Sequence, residues 1–418
     1  MRGMILIGNP GNKRTAGLQR ARQALGLPPA EVLSYAALLS GEQSLAAARL
    51  AREGGAEAPL LRLDAPGEQF EVERALIALG APDAPEEAAA DERLLPLAAR
   101  PDPQPMSVRA ALALQEQTGR LYHPSQWFRG FGRLLGRLER EAGQLWAQPN
   151  WLNAPADIAA MFDKRHTQSL LRQAGVPVPA LLAEQERLPD YEALRAAMQA
   201  RRMFRVFVKL AAGSGACGVL AYQLNPATGA EQAVTTLGIE TYAAKPPLLY
   251  NAIKLRRYSD AAVIRLLINW LLRHGAQVEQ WVPKATIGDR SFDIRQLVVA
   301  GAACHSVVRA SKTPITNLHL RSARLSVAEA GLSRETQHAV QTCAERALAA
   351  FPQSQVAGID VLLRSGSLAP CVVDVNPFGD LLYGVEHEGD DAYTWELRRL
   401  ARFPADTALQ TSGKVSMN

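Results

Sequence analysis

Apolar and polar residues change rhythm several times along this chain, and each change marks an element. Met4-Ile-Leu-Ile7 is an unbroken apolar run closing on Gly8-Asn-Pro-Gly-Asn12, as a buried strand and turn would read, and a helix-like run from Ala16 to Leu25 follows. Glu31-Val-Leu-Ser-Tyr35 and Pro59-Leu-Leu-Arg-Leu63 read as further short strands, separated by an Ala-rich run around 45–52. Strands alternating with helices predict a small α/β domain with a parallel sheet. Residues 81–105, rich in Ala, Pro, Asp and Glu, read as an irregular connector with one short helix. Ala110 to Gln148 reads as helix in two pieces, broken at His123-Pro124. From Asn150-Trp-Leu-Asn153-Ala-Pro155 the composition turns more β-rich, and the polar stretch after Pro404 is expected to fray.

The most specific pattern lies late in the chain. Ala357-Gly-Ile-Asp360-Val-Leu and Cys371-Val-Val-Asp374-Val-Asn376 are two apolar runs around a Ser-Gly-Ser turn, which predicts a β-hairpin. A symmetric hairpin sets Asp360 opposite Asp374, and Asn376 shares the face of Asp374 because strand side chains alternate. Three oxygen donors with no His or Cys among them suit Mg²⁺, with Mn²⁺ as an alternative. A polar hairpin edge is the plainer reading, but carboxylates set in apolar strands are seldom idle.

Composition narrows the classes. A chain of 418 residues, 48% of them hydrophobic, suits two or three soluble domains. Val263-Ile-Arg-Leu-Leu-Ile-Asn-Trp-Leu-Leu272 is too short to span a bilayer and carries Arg265, and the start lacks the pattern of a signal peptide. Cys217, Cys304, Cys343 and Cys371 form no CxxC pair, which argues against zinc and disulfides and for a reducing cytoplasm. The net charge is +5, but the arginines are interspersed with acids, without the basic stripe of a nucleic-acid track.

Four earlier segments would supply a nucleotide site. Asp163-Lys164 opens a helix, where a cation is out of place unless an anion is near. Val206-Phe-Val-Lys209-Leu-Ala-Ala-Gly213-Ser214-Gly215-Ala-Cys-Gly218 places a lysine and a glycine loop between two strands, with no helix after it. That is a lid over phosphates or, more plainly, a bulged hairpin. Glu279-Gln280-Trp281-Val282 ends a short strand at Pro283, where backbone groups could meet a base edge. Phe292-Asp293-Ile-Arg295, with Arg309, Lys312 and Asn317-Leu-His319 beyond, sets cations near the metal face; an Asp293–Arg295 structural ion pair is the rival reading.

In their order and spacing these strings resemble the ATP-grasp superfamily, specifically RimK-type glutamate ligases and glutathione synthetase-like enzymes, over roughly 150–400. The resemblance implies an α/β N-terminal domain followed by an ATP-grasp fold of two α+β subdomains: 1–105, a helical connector 106–150, the grasp 151–403 and a flexible tail 404–418. It implies that Lys164 and Lys209 contact ATP phosphates, Gly213 to Gly218 (with Ser214) form the lid, and Glu279 to Val282 line the adenine pocket with Asp293 nearby. Asp360, Asp374 and Asn376 would hold the metal, while Arg295, Arg309 and Asn317 act on the phosphoryl acceptor. Three departures stand out: Asp374 where the family carries Glu, Gln280 where it carries an acid, and about three extra residues between Trp281 and Asp293, with Lys284 where an acidic ribose contact is usual.

The implied reaction is a cytoplasmic carboxylate–amine ligation (or carboxylate–thiol) through an acyl phosphate, releasing ADP and phosphate, on small-molecule or peptide substrates. A small-molecule kinase on the same fold and a non-catalytic nucleotide-binding partner are the alternatives. Family members are commonly homo-oligomers. His319 is a candidate base and Cys217 is read as inert. The loop 237–262, with Lys254, Arg256 and Arg257, would suit an acidic substrate as well as it would suit a solvated patch.

Overall fold

The computed structural model describes residues 3–50, 58–85, 102–184, 187–213, 215–241, 243, 247–320 and 322–412, without the side chains of Leu50, Ile253, His319 and 403–412. Ser214 and most of the expected 81–105 connector (residues 86–101) lie outside them.

The first sheet is wholly parallel. It contains β1 (Met4–Gly8), β2 (Glu31–Ser34), β3 (Leu60–Leu63) and β4 (Asn150–Trp151) in the order β2-β1-β3-β4. Every residue of β1 is buried because helices cover both faces, which is why it reads as a continuous apolar run. The helix Lys13–Ala24 lays Leu18 and Ala21 against Met4 and Leu6. On the other face, helices Phe70–Leu79 and Pro124–Leu145 pack Val72, Leu76, Phe128 and Phe131 against Ile5 and Ile7. These two helices touch backbone to backbone. A Cβ on Gly130 would stand 1.8 Å from the Leu76 carbonyl oxygen, and one on Gly80 would stand 1.9 Å from that of Gln126. Most of the 106–150 stretch therefore packs into this first core, and β4 closes its sheet.

A second, antiparallel sheet comprises β5 (Arg205–Leu210), β6 (Val219–Leu224), β7 (Glu231–Glu240), β8 (Leu248–Tyr258) and β9 (Ala276–Gln280), ordered β8-β7-β6-β5-β9. Helices Tyr191–Ala200 and Ala261–Arg273 cover one face, taking Val206, Val208 and Leu210. Strand alternation turns Phe207 and Lys209 to the other face. The 237–262 segment is a correction: it is mostly the β7–β8 hairpin rather than a loop, and Gly119 and Leu121 pair with part of its outer edge.

The third sheet is built on β10 (Thr286–Ile287), β11 (Arg290–Val299), β12 (Ala302–Ser311), β13 (Ala323–Leu325), β14 (Val356–Leu363) and β15 (Pro370–Asn376). Its order is β13-β12-β11-β14-β15, with β10 paired to β11 and the helix Arg334–Ala349 across one face. The helix Ala392–Ser412 continues past Pro404, where the sequence suggests fraying, and residues 413–418 lie outside the described set. Tyr393 and Leu397 of this helix join the Lys13–Ala24 helix in a core that also includes Leu297 and Val299. No described helix is long and apolar enough to cross a membrane.

Candidate functional site

A cleft holding about 740 Å³ of space, part of it open to solvent, lies where the second and third sheets face each other. Its far wall is the β14–β15 hairpin. Asp360 stands opposite Asp374, as the alternation predicts, and a bulge then shifts the register so that Val361 pairs with Val372. The extra residue, Val373, lines the cleft with both carboxylates. Asp360 is buried and Asp374 a quarter exposed.

Lysines reach the hairpin from two directions. Asp163 caps the helix Lys164–Gln173 by accepting from the Arg165 N–H, and the Lys164 N–H donates to the Ala211 carbonyl at 2.9 Å. The helix start is thereby tied to the end of β5, and Lys164 Nζ donates to both Asp374 oxygens at 2.8 and 3.0 Å. Lys209, on the cleft face of β5, pairs with Glu279 of β9. Burial works to lower its pKa, but Glu279, Asp374 and Asp360 outweigh it and hold the ammonium charged.

The floor is a buried ion network. Asp293 of β11 accepts from Arg309 Nε at 2.7 Å and Lys284 Nζ at 3.2 Å, and Thr316 also donates to it. Burial raises the Asp293 pKa, and its partners more than reverse the effect, leaving the carboxylate below its ordinary range. Arg309 also lies 3.1 Å from Asp360. Burial holds Asp360 above the ordinary range, with Arg295 and Arg309 pulling it down and Asp293 and Asp374 pushing it up. Lys284 is lowered by burial and by repulsion from Arg309 and Lys209, despite Asp293.

Of the expected site residues, Lys164, Lys209, Gly213, Glu279, Gln280 and Val282 line this cleft, as do Asp293, Arg309, Asn317, Asp360 and Asp374. Five others take different places. Arg295 reaches behind the hairpin to Asp360 at 2.8 Å and Asp380 at 3.6 Å. The expected Asp293–Arg295 ion pair gives way to Asp293–Arg309, because the antiparallel register puts these two directly opposite. Asn376 donates its amide to the Gly358 carbonyl at 3.0 Å. Trp281 packs on Phe207, with its ring centroid 5.6 Å away, and under Arg205 rather than facing the cleft. Gly215 and Gly218 take positive φ in the turn whose Gly213, Ala216, Cys217 and Val219 line the cleft. The Gln280 and Trp281 N–H groups donate to Ala180 and Arg205 carbonyls, so a base edge would have to use other atoms of this strand.

Lys284, at the position the resemblance gave to a ribose contact, lines the cleft together with Thr316. Several neighbours carry no local signal in the sequence, among them Phe207, Pro314 and Ile315 of the cleft lining. Glu73, from the first turn of the Phe70–Leu79 helix, lies close enough to the Cys217 thiol to raise its pKa. With burial as the main cause, that thiol rises to about 12, consistent with an inert Cys217. Only the backbone of His319 is described, in the 3₁₀ turn Leu318–Leu320.

Burial also pushes the Glu73 carboxyl from 4.5 up to about 7. The folded state then holds this proton more tightly than the unfolded chain. Its contribution to stability is complete below the lower value and falls as pH rises through the upper one. Glu73→Gln is expected to remove this decline and to stabilise the protein at pH 8 by about 2 kcal/mol. Denaturant midpoints at pH 5 and pH 8 check it, and an unchanged pH dependence would refute the assignment.

No protein-family model and no curated protein matches the sequence. Among solved structures, the ATP-grasp ligase PsnB complexed with a minimal precursor aligns over 96% of this chain and 100% of that one, at 14% identity and a TM-score of 0.50. The D-cycloserine synthetase DcsG aligns over 96% and 100%, at 14% identity and a TM-score of 0.49. The D-alanine–D-alanine ligase from Bacillus anthracis, complexed with ATP, aligns over 98% and 99%, at 10% identity and a TM-score of 0.47. At such identities the likeness to PsnB is one of fold: this chain has the fold of an ATP-grasp ligase.

Proposed function

We propose that the chain is an ATP-dependent carboxylate–amine ligase, RimK-like in its motifs. One observation carries the reading: Lys164, Lys209 and Arg309 converge with Asp360 and Asp374 on a single cleft that also includes Gly213. Three cations and two carboxylates lining one cleft suit a triphosphate bound with a divalent ion.

The residues present fit Mg²⁺. Among the described residues no three His, Cys, Asp or Glu side chains form a metal cluster. The donor set is two facing carboxylates and an amide, all hard oxygen ligands. Asp360 Oδ1 is buried without a hydrogen bond of good geometry, although Arg295 Nε lies 2.8 Å away. Asn376 commits its amide nitrogen to Gly358 and keeps its oxygen as a donor. Asp360, Asp374 and Asn376 would hold the ion, which when bound neutralises phosphate charge and orients the γ-phosphoryl group.

The chain's own groups do the rest. Lys164 and Lys209 are held in place by Asp374 and Glu279 before any ligand arrives, so their ammonium groups need little reorganisation to meet phosphate. Arg309 is fixed by Asp293, leaving Nη2 to face Asp360 and the developing charge. A substrate carboxylate attacks the γ-phosphorus, the bond to the bridging oxygen breaks, and ADP leaves. An amine then attacks the acyl carbon and expels phosphate. The Gly213–Gly218 segment over the cleft would exclude water from the acyl phosphate. PsnB, whose fold this chain shares, is complexed with a minimal precursor, so carboxylates larger than metabolites belong among the substrates tested.

The test is Mg²⁺-dependent ATP turnover against pooled carboxylates and amines, small molecules and peptides alike. ADP and phosphate formed only when both pools are present would support the ligase. ADP with a stable phosphorylated product would replace it with a kinase, and AMP would rule out the acyl phosphate.

A further inference from the structure

The chain leaving the candidate metal strand is held by the N-terminal part of the molecule, carbonyl by carbonyl. Asn153 donates to the Pro377 carbonyl and, at 2.7 Å, to that of Val356. Its own Oδ1 accepts from the Gln355 and Val356 N–H groups at 2.9 and 3.0 Å, so one side chain ties the start of β14 to the end of β15. Arg14, in the first turn of the Lys13–Ala24 helix, takes the next two carbonyls. Its Nη1 donates to Phe378 at 2.8 Å and its Nη2 to Gly379 at 3.3 Å. The Phe378 ring is buried in the core of the first sheet, edge-on to Phe162. Gly379 has φ +61°, and a Cβ there would stand 2.8 Å from Val356 Cγ1, so the turn has little freedom to take another path. Asp380 then lies 3.6 Å from Arg295 Nε, which is itself 2.8 Å from Asp360 Oδ1.

We infer that Arg14 is a positioning residue for the metal end of the cleft. Its guanidinium fork fixes two successive carbonyls just beyond Asn376 and so sets the path that delivers Asp380 to Arg295 and Arg295 to Asp360. The inference rests on the metal assignment proposed above. Arg14 lines no part of the cleft and is aimed by Asp64, 3.6 Å from its Nη1. The planar fork matters: an ammonium on a flexible stem can meet one of the carbonyls but cannot hold both at a set angle. Without either, the turn relaxes and the oxygen donors lose their mutual spacing. Loss of such outer contacts weakens metal sites by roughly 10–100-fold.

Titration calorimetry of ATP binding, with and without Mg²⁺, on full-length wild type, Arg14→Lys and Arg14→Met tests this. For Arg14→Met the Mg²⁺ concentration giving half-maximal enhancement of ATP binding should rise by about tenfold or more. Mg²⁺-free ATP binding should stay within about twofold, since Lys164 and Lys209 are untouched. Arg14→Lys should fall between. A merely structural role would weaken both measurements together, and that result, or an unshifted Mg²⁺ requirement, would overturn the inference. Should Arg14→Met fail to fold, Asp380→Asn probes the same chain of contacts from its other end and must also raise the Mg²⁺ requirement. Wild-type binding indifferent to Mg²⁺ would overturn the metal assignment itself, and this inference with it; a Mg²⁺-dependent wild type with indifferent variants would overturn only the role of Arg14.

Discussion

Asp293→Ala is expected to cost about 3–5 kcal/mol of stability, the scale for removing one partner of a buried ion pair. Asp293 and Arg309 are 2% and 3% exposed, and Lys284 Nζ and the Thr316 hydroxyl converge on the same carboxylate. Deleting it leaves two buried cations beside each other, with Asp360 as the remaining nearby anion for Arg309. Denaturant titration of the wild type, Asp293→Ala and Asp293→Asn separates the contributions. Asn keeps the shape and one acceptor, so its loss should be smaller than that of Ala. An Ala variant as stable as wild type would mean that water reaches this floor and satisfies both cations.

Asp374→Asn should have the opposite profile. Its carboxylate is a quarter exposed and its described hydrogen bonds come from Lys164, which is itself within reach of solvent. The pair is partly buried and Asn keeps one acceptor for Lys164, so the fold should lose only about 1 kcal/mol. Mg²⁺-dependent ATP turnover, however, should fall by roughly 10²-fold or more, the scale of losing one preorganised electrostatic contact in a reaction site. ADP release and thermal unfolding measured on the same preparations decide it. Turnover within a few-fold of wild type would remove Asp374 from the metal site.

The two substitutions differ because local sequence and long-range packing contribute differently to the cleft. The hairpin with Asp360 and Asp374 was legible because both strands, the turn and the facing residues lie within about twenty positions, where alternation alone fixes which side chains share a face. Lys209 was legible for the same reason, as a lysine alternating with buried valines. The partners of Asp293 were not. Asp293 and Arg295 do share a strand face, yet Arg309 takes Asp293 because the β11–β12 register sets them opposite, while Arg295 turns to Asp360 in β14.

What the sequence determined by itself was therefore periodic: buried β1, the glycine turn after β5, the Asp360–Asp374 hairpin and the helix opening at Lys164. The tertiary structure decided which of these faces meet. It drew the Pro124–Leu145 helix into the first core, made β7–β8 of an apparent loop, packed Trp281 on Phe207, and brought in Glu73 without any motif. It also bound the loop after Asn376 to Arg14, more than three hundred positions away in the chain. Periodicity assigns a side chain to a face, but the neighbour across that face is chosen by how whole sheets and helices exclude water together, and no window of sequence contains both partners.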